Sequence, residues 1–256
     1  MANDRRARHT RRSALRLGAR AAVVATAGAV SLLAGCRGTN FLSTRDEVRL
    51  GRDVSRQVEA EARVDTDSAD ARRVQRIAQR VLAHAEMRPG IPYSVKLLDR
   101  KEINAISLPG GPIYVFRGLL DMVGDDDDAL AGVIAHEVAH VNARHVAEMI
   151  SQQLAANIGI IVLLRGRTAH DIATLAQDLL SLSFSREDEY EADRRGLSYA
   201  HRAGFDPAGL LRLFQKLDAM ERGAGQPAFL RTHPLSRSRI ERAQRIIELQ
   251  QFPYGR

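Results

Sequence analysis

Disulfide bonds within the chain are excluded, because its 256 residues contain only one cysteine. The sequence also lacks internal repeats and low-complexity tracts. Apolar residues make up 45% of the chain, which is enough for a hydrophobic core and rules out wholesale disorder. The length therefore fits one domain of ordinary size, or two small ones.

The chain has little excess charge outside its first 35 residues. In total, 38 Lys and Arg stand against 31 Asp and Glu. Residues 1–35 hold seven of the basic residues and a single acid, Asp4, so the remainder has 31 basic and 30 acidic residues. Because the basicity belongs to this N-terminal segment, we expect no nucleic-acid partner.

The N-terminal segment has the pattern of an export signal. An arginine-rich start precedes the uncharged run 21–34, whose 14 residues are too few for a membrane-spanning helix and typical of a signal peptide. Leu-Ala-Gly-Cys at 33–36 resembles the bacterial lipobox, in which cleavage precedes a lipidated cysteine. We predict that 1–35 is a signal peptide and that Cys36 carries a lipid anchor. An ordinary signal peptide with a cysteine nearby by chance is the alternative.

Two further features concern the export route and the destination. Residues 10–15 resemble a twin-arginine signal, but Ala14 replaces the usual phenylalanine, so ordinary export is equally compatible. Arg37 stands where an aspartate would resemble an inner-membrane retention signal. We therefore expect a lipid-anchored protein of the bacterial cell envelope that faces the periplasm, with the outer membrane favoured over the inner.

The rest of the chain predicts an α+β fold that is predominantly helical, with a small β-sheet. Helical periodicity occupies about 44–64 and 70–87, and β-like segments follow at 93–98, 103–107 and 113–116. From residue 125 onward, the spacing of apolar residues predicts helix for nearly the whole chain. The helices expected there lie at about 126–149, 151–164, 169–183, 186–203, 207–221 and 236–250.

The most informative motif is His-Glu-Val-Ala-His at 136–140. His136 and His140 are four residues apart, so both imidazoles leave one helix face, as two ligands of a tetrahedral zinc ion do. Glu137 is rotated by about 100° and can take a proton from a zinc-activated water during attack on a carbonyl. The motif predicts a zinc hydrolase with an HExxH active-site helix, and a chance match is the alternative.

A catalytic zinc ion needs a third protein ligand and an open position, and the acids of 187–193 are the candidates. Glu189 and Asp193 share one helix face, whereas Glu187 and Glu191 share another. A ligand and an acceptor for the second ring nitrogen of a ligating histidine need to share a face. Periodicity alone leaves both pairs open, and the remaining acids are expected on a solvated face.

Together these motifs resemble the zinc metalloendopeptidases of the CAAX prenyl protease/HtpX/BepA family, in which His-Glu-x-x-His is followed by Glu-x-x-x-Asp. Further family signatures occur in order at 104–111, 141–145, 189–194 and 232–234 with Arg239. The resemblance covers about 41–250. It implies a zincin fold, one Zn2+ ion per chain, Glu189 as the third zinc ligand and Asp193 as the residue that orients the site.

Some members of that family are integral membrane proteins, whereas the sequence after residue 35 has no run of spanning length. A prenylated substrate is therefore not implied, and the likeness is to the single-domain periplasmic lipoproteins of the family. We predict one zinc metallopeptidase domain at 36–256, with a zincin core at about 91–204 and C-terminal helices at 205–251.

Two other histidines accompany the motif. His233, within Thr-His-Pro, resembles a family loop histidine near the zinc ion. It would either donate to the oxyanion of the tetrahedral intermediate or fill the open zinc position and hold the enzyme inactive, and a surface position is the alternative. His145 lies five residues after His140, off the ligand face, so we expect it to support the site rather than bind the metal.

The predicted function is zinc-dependent hydrolysis of peptide bonds in misfolded or misassembled envelope proteins. Unfolded polypeptides would bind as an added strand at a sheet edge near 113–116, although a hairpin that only covers the core is equally compatible. A chaperone-like periplasmic binding protein with a locked or silent zinc site is the main alternative, and hydrolysis of a non-peptide substrate is another. The presence of Glu137 favours the enzyme.

Overall fold

The computed structural model describes residues 40–156, 169–181, 183–223 and 225–252, so the predicted signal peptide and Cys36 lie outside the described residues. Within these ranges the helices are α1 (Thr44–Glu61), α2 (Ala69–His84), α3 (Arg117–Val123), α4 (Asp127–Ala143), α5 (His145–Ala156), α6 (Ala169–Leu179), α7 (Arg186–Arg202), α8 (Ala208–Glu221), α9 (Ala228–Thr232) and α10 (Arg237–Glu248). The strands are β1 (Val64–Asp65), β2 (Ser94–Leu98), β3 (Ala105–Ser107) and β4 (Pro112–Phe116). The predicted α+β, predominantly helical class is confirmed.

Strand β4 lies inside the sheet rather than at its edge. The strand order is β1-β2-β4-β3. Strands β2 and β4 are parallel, with Ser94 opposite Pro112, and β3 is antiparallel to β4, with Ile106 opposite Tyr114. The segment 113–116 is therefore paired on both sides, and β3 forms the edge beyond it.

Helix α4 passes through the larger hydrophobic core, and every residue from 129 to 142 is buried. Gly132 allows close contact with α8, because a Cβ atom there would lie 2.9 Å from the Leu210 Cβ. Gly196 on α7 lies against the α4 backbone in the same way, since its Cβ would be 3.0 Å from the His136 Cα. This close packing brings the acidic residues of α7 to the histidines of α4.

The start of α4 is fixed by acidic side chains. Asp126 is the N-cap and accepts a hydrogen bond from the Ala129 N–H at 2.9 Å, while Asp127 and Asp128 lie in the first turn, where carboxylates favour the helix dipole. Arg212 of α8 donates to both oxygens of Asp126. These hydrogen bonds from Arg212 lower the pKa of Asp126 to about 2.

The helix predicted over 126–149 is wrong at its C-terminal end. Arg144 adopts the left-handed conformation (φ 65°, ψ 22°), which is uncommon for a residue other than glycine, so α4 ends and α5 begins on either side of it. Its side chain donates to Glu47 Oε1 at 2.8 Å. The change of direction brings His145 Nδ1 to 2.9 Å from His140 Nδ1.

A second hydrophobic cluster lies beneath α1. It contains Leu50, Val54 and Val58 of α1 together with Tyr114 and Phe116 of β4. One side of α1 therefore packs on the sheet, and the opposite side faces solvent. Among the described residues, no helix is both long and apolar enough to cross a membrane.

Candidate metal centre

Four buried side chains from three parts of the chain converge. His136 and His140 lie on α4, Glu189 lies in the first turn of α7, and His233 follows α9. One ligand atom from each lies within 4.8 Å of all the others. The His136 and His140 Nε2 atoms are 3.0 Å apart, and His233 Nδ1 is 2.9 Å from Glu189 Oε1. This group could hold a metal ion.

A backbone hydrogen bond connects the segment before Glu189 to the segment before His233. A capping box begins α7, in which the Ser185 hydroxyl accepts from the Asp188 N–H and the Asp188 carboxylate accepts from the Ser185 N–H. The Phe184 N–H donates to the Thr232 carbonyl at 3.0 Å. This bond connects the start of α7 to the end of α9.

The rings of His136 and His140 each have a neighbour at Nδ1, on the side away from the other ligand candidates. His136 Nδ1 lies 3.1 Å from Asp193 Oδ1, and His140 Nδ1 lies 2.9 Å from His145 Nδ1. A proton on each of these Nδ1 atoms leaves both Nε2 atoms free to bind a metal. Burial lowers the pKa of His140 well below its usual range, which keeps that ring neutral. Two imidazoles and a carboxylate are a ligand set of catalytic zinc sites.

Glu137 has a buried carboxylate without a hydrogen-bond partner. The residue is 0% exposed, and neither oxygen accepts a hydrogen bond from the described residues. The His233 Nε2 atom approaches Oε1 only to 3.4 Å. A buried carboxylate in this state is costly unless another group satisfies it. The residues present therefore fit a site that takes a cation and a polar reactant.

Arg239 of α10 supports both acids of α7. Its Nε and Nη2 atoms donate to the two carboxylate oxygens of Asp193 at 2.8 and 2.7 Å, and its Nη1 atom forms an ion pair with Glu189. Burial alone would raise the pKa of both carboxyls, but the Arg239 charge, joined by His233 at Glu189, holds each pKa below its ordinary value. Both acids are therefore ionised.

His233 lies inside the group rather than in solvent. It is 1% exposed, its ring stacks on Phe229 at a centroid distance of 4.4 Å, and the ring of Phe184 lies 5.0 Å away. Burial opposes protonation, but the carboxylates of Glu189 and Glu137 raise the pKa of His233 above its ordinary value. The alternative that His233 is a surface residue is wrong.

Two further residues, Phe184 and Arg239, contact the site although motif spacing assigns neither of them a role. Phe184 stacks on His140 at a centroid distance of 3.9 Å, and no pattern in the sequence indicates this. The family resemblance includes Arg239 among its signature positions but does not assign it a contact with the site. A usable signal existed, since Arg239 shares a helix face with the buried Ala243, and a fully buried arginine almost always has a charged partner.

The sequence that forms this site matches a known protein family. A family model described as "Peptidase family M48" matches residues 68–247. Mitochondrial metalloendopeptidase OMA1 of Schizosaccharomyces pombe is 37% identical over 176 residues, which are 67% of this chain and 51% of the relative. The β-barrel assembly-enhancing protease of Escherichia coli K12 is 31% identical over 223 residues, 82% of this chain and 45% of the relative. Metalloprotease LoiP of E. coli K12 is 33% identical over 165 residues, 61% of this chain and 62% of the relative.

The chain spans about half the length of the first two of these relatives. The match over 68–247 confirms the predicted family, and these relatives carry the names metalloendopeptidase and metalloprotease. The buried group of His136, His140, Glu189 and His233 agrees with the predicted zinc cofactor. The chain belongs to peptidase family M48, whose members are zinc metallopeptidases.

Proposed function

We propose that this chain is an active zinc metalloendopeptidase in which His136, His140 and Glu189 hold one zinc ion. The support is the convergence of two buried imidazoles and an ionised carboxylate, with Asp193 beside His136, His145 beside His140 and Arg239 paired with Glu189. When bound, zinc supplies a Lewis acid that polarises a carbonyl and lowers the pKa of water. Proton transfer and the positioning of the ligands are the work of side chains of the protein itself.

Glu137 is the general base in this proposal. The observation that carries the proposal is its buried carboxylate, which lies beside the ligand group and accepts no hydrogen bond on either oxygen from any residue that the structure describes. Such a carboxylate is free to accept a proton from the attacking water and to return it to the leaving amine. Its burial within α4 fixes its position relative to His136 and His140.

Asp193 and Arg239 act as positioning residues. Asp193 holds the His136 ring in the tautomer that keeps Nε2 unprotonated, and Arg239 holds the carboxylates of Asp193 and Glu189 in place. Partners of this kind orient the ligands of a metal, and their loss costs about 10–100-fold in metal affinity or activity.

His233 has two candidate roles, and its place within the ligand group favours the inhibitory one. Its Nδ1 atom lies 3.3 Å from His136 Nε2 and 2.9 Å from Glu189 Oε1, where it would compete with water for the metal. In the other role, His233 donates to the oxyanion of the tetrahedral intermediate. The inhibitory role also underlies the second candidate function, a chaperone-like binding protein with a locked site.

Unfolded or misassembled envelope polypeptides are the proposed substrates. Strand β3 is an edge of the described sheet and packs against α4, so an extended peptide could add to it through backbone hydrogen bonds. Recognition of the backbone tolerates many side chains. The name of one relative, β-barrel assembly-enhancing protease, fits a role among envelope proteins.

The proposed location is the periplasmic face of a bacterial envelope membrane, with the outer membrane favoured. The support is the export signal pattern at 1–35 and the lipobox-like sequence that ends at Cys36. Arg37 follows Cys36 where an aspartate would favour the inner membrane.

The test is casein cleavage by the purified chain with and without a zinc chelator. We expect the native chain to cleave casein and the chelator to stop it. Glu137→Gln should lose cleavage while it retains zinc and its fold, and Glu102→Gln at the surface should cleave normally. If neither the native chain nor His233→Ala cleaves casein, and the native chain prevents aggregation of an unfolded protein, the chaperone-like function holds instead.

A further inference from the structure

The solvent-facing side of α1 carries a row of arginines. Arg45, Arg49, Arg52 and Arg56 follow one another at intervals of four, three and four residues, which places them on one helix face. All four are exposed, and the opposite side of α1 packs into the core through residues such as Val54. The row is therefore a fixed surface of a well-anchored helix, and we name it the arginine face.

Three members of the arginine face have no described partner. Arg56 pairs with Asp53, but Arg45, Arg49 and Arg52 form no ion pair or hydrogen bond with any part of the chain that the structure describes. These three line a shallow pocket of about 480 Å³. Its other lining residues are Thr44, Val48 and Gly90, so no carboxylate lines it.

Arg212 and Arg117, two arginines on other parts of the surface, do have acidic partners. Arg212 contacts three aspartates, and Arg117 contacts Asp65 and Asp70. Like charges that line one concave surface repel each other, so the arginine face costs free energy unless an anion approaches it. The planar, bidentate guanidinium group is well matched to phosphate oxygens.

The position of the arginine face in the chain indicates the source of the phosphate. Helix α1 begins at Thr44, eight residues after Cys36, and eight extended residues span at most about 29 Å. Phe41, between the two, is 52% exposed. A basic surface beside a lipid anchor and an exposed aromatic side chain is a common arrangement for contact with a membrane.

We infer that the arginine face binds the phosphate headgroups of anionic phospholipids in the membrane that carries the protein. The inference rests on the proposed attachment through Cys36 for its location, but the binding surface is independent of peptidase activity. Contact along α1 would fix which side of the domain lies on the membrane. Each arginine near an anionic surface contributes about fivefold in affinity, so three contribute about 100-fold.

The test uses the chain from residue 36 with Cys36→Ser, which has neither lipid nor signal peptide. This form keeps every residue that the structure describes. Its sedimentation with vesicles of phosphatidylglycerol and phosphatidylcholine is compared with that on phosphatidylcholine alone. The test variant combines Arg45→Gln, Arg49→Gln and Arg52→Gln. The control combines Arg76→Gln, Arg231→Gln and Arg245→Gln, which removes the same charge from exposed positions on α2, α9 and α10.

We expect the Cys36→Ser chain to bind the vesicles that contain phosphatidylglycerol and not those of phosphatidylcholine alone. Its affinity for the anionic vesicles should fall about 100-fold in the test variant and change little in the control. An equal loss in both variants would reduce the effect to net charge and overturn the inference. No binding to anionic vesicles, or full displacement by inorganic phosphate at low concentration, would also overturn it. Casein cleavage in the absence of vesicles should be the same in both variants, so failure here is distinct from failure of the proposed peptidase.

Discussion

Arg239 donates two hydrogen bonds to the carboxylate of Asp193, from Nε to Oδ2 at 2.8 Å and from Nη2 to Oδ1 at 2.7 Å. Asp193 in turn lies 3.1 Å from His136 Nδ1. The C-terminal helix α10 is thereby connected to the centre of α4 through a single buried carboxylate. The site depends on residues more than a hundred positions apart in the sequence.

Loss of Arg239 should destabilise the fold. Arg239→Met leaves the carboxylates of Asp193 and Glu189 buried without their cation, and removal of one partner of a buried ion pair costs about 3–5 kcal/mol. Urea unfolding of the metal-free chain measures this. Arg237→Met on the same helix is the control, because Arg237 is 93% exposed and its pair with Glu241 contributes at most about 1 kcal/mol. Equal effects of the two changes would argue against a special role for Arg239.

A methyl group at Gly196 should separate α7 from α4. Its Cβ would lie 3.0 Å from both the Cα and the N of His136, so the two helices must move apart. We expect Gly196→Ala to lower the free energy of unfolding by about 1–3 kcal/mol and to weaken zinc binding. At Gly223 the nearest atom is 3.6 Å away, so Gly223→Ala should change neither quantity. Normal zinc affinity in Gly196→Ala would show that α7 tolerates the shift.

The two roles of His233 predict opposite changes in rate. If His233 fills the open metal position, His233→Ala should raise basal casein cleavage without loss of zinc, because a competitor of water is removed. If it steadies the oxyanion, the same change should lower the rate by about 10²–10³-fold. An unchanged rate would leave His233 with neither role.

Removal of the lipid attachment should release the protein from membranes. We expect Cys36→Ser, once exported, to be recovered in the soluble periplasmic fraction after a wash at high salt, which screens contacts of basic residues with lipid. The native protein should stay with the membranes under the same wash. A variant that remains membrane-bound in high salt would overturn the lipobox interpretation and point to a retained N-terminal helix.

Local patterns in the sequence were sufficient for the centre of the site. His136 and His140 point the same way because of helical spacing, which the sequence shows directly. The helices around them were recognised from periodicity, although their ends shifted by a few residues. The proximity of Glu189 to these histidines came from the family resemblance, since periodicity alone left Glu187 equally open.

Contacts between distant segments were not predictable from local patterns. The left-handed Arg144 interrupts a helical pattern that continues on both sides, and its reason is the buried Glu47 almost a hundred residues earlier. The parallel pairing of β2 with β4 depends on the fold of the segment between them. Arg239 reaches the site only because α10 packs back on α7, and although its helix face indicates burial, it does not identify which acids the arginine meets.

The claim that His136, His140 and Glu189 hold one zinc ion is tested most directly by the zinc content of two neighbouring variants. Glu189 is buried in the ligand group, whereas Glu187 is exposed two residues away on the same helix. Elemental analysis of the purified proteins should find one zinc per chain in the native protein and in Glu187→Ala, and a near-complete loss in Glu189→Ala. Zinc retained by Glu189→Ala and lost from Glu187→Ala would contradict the account.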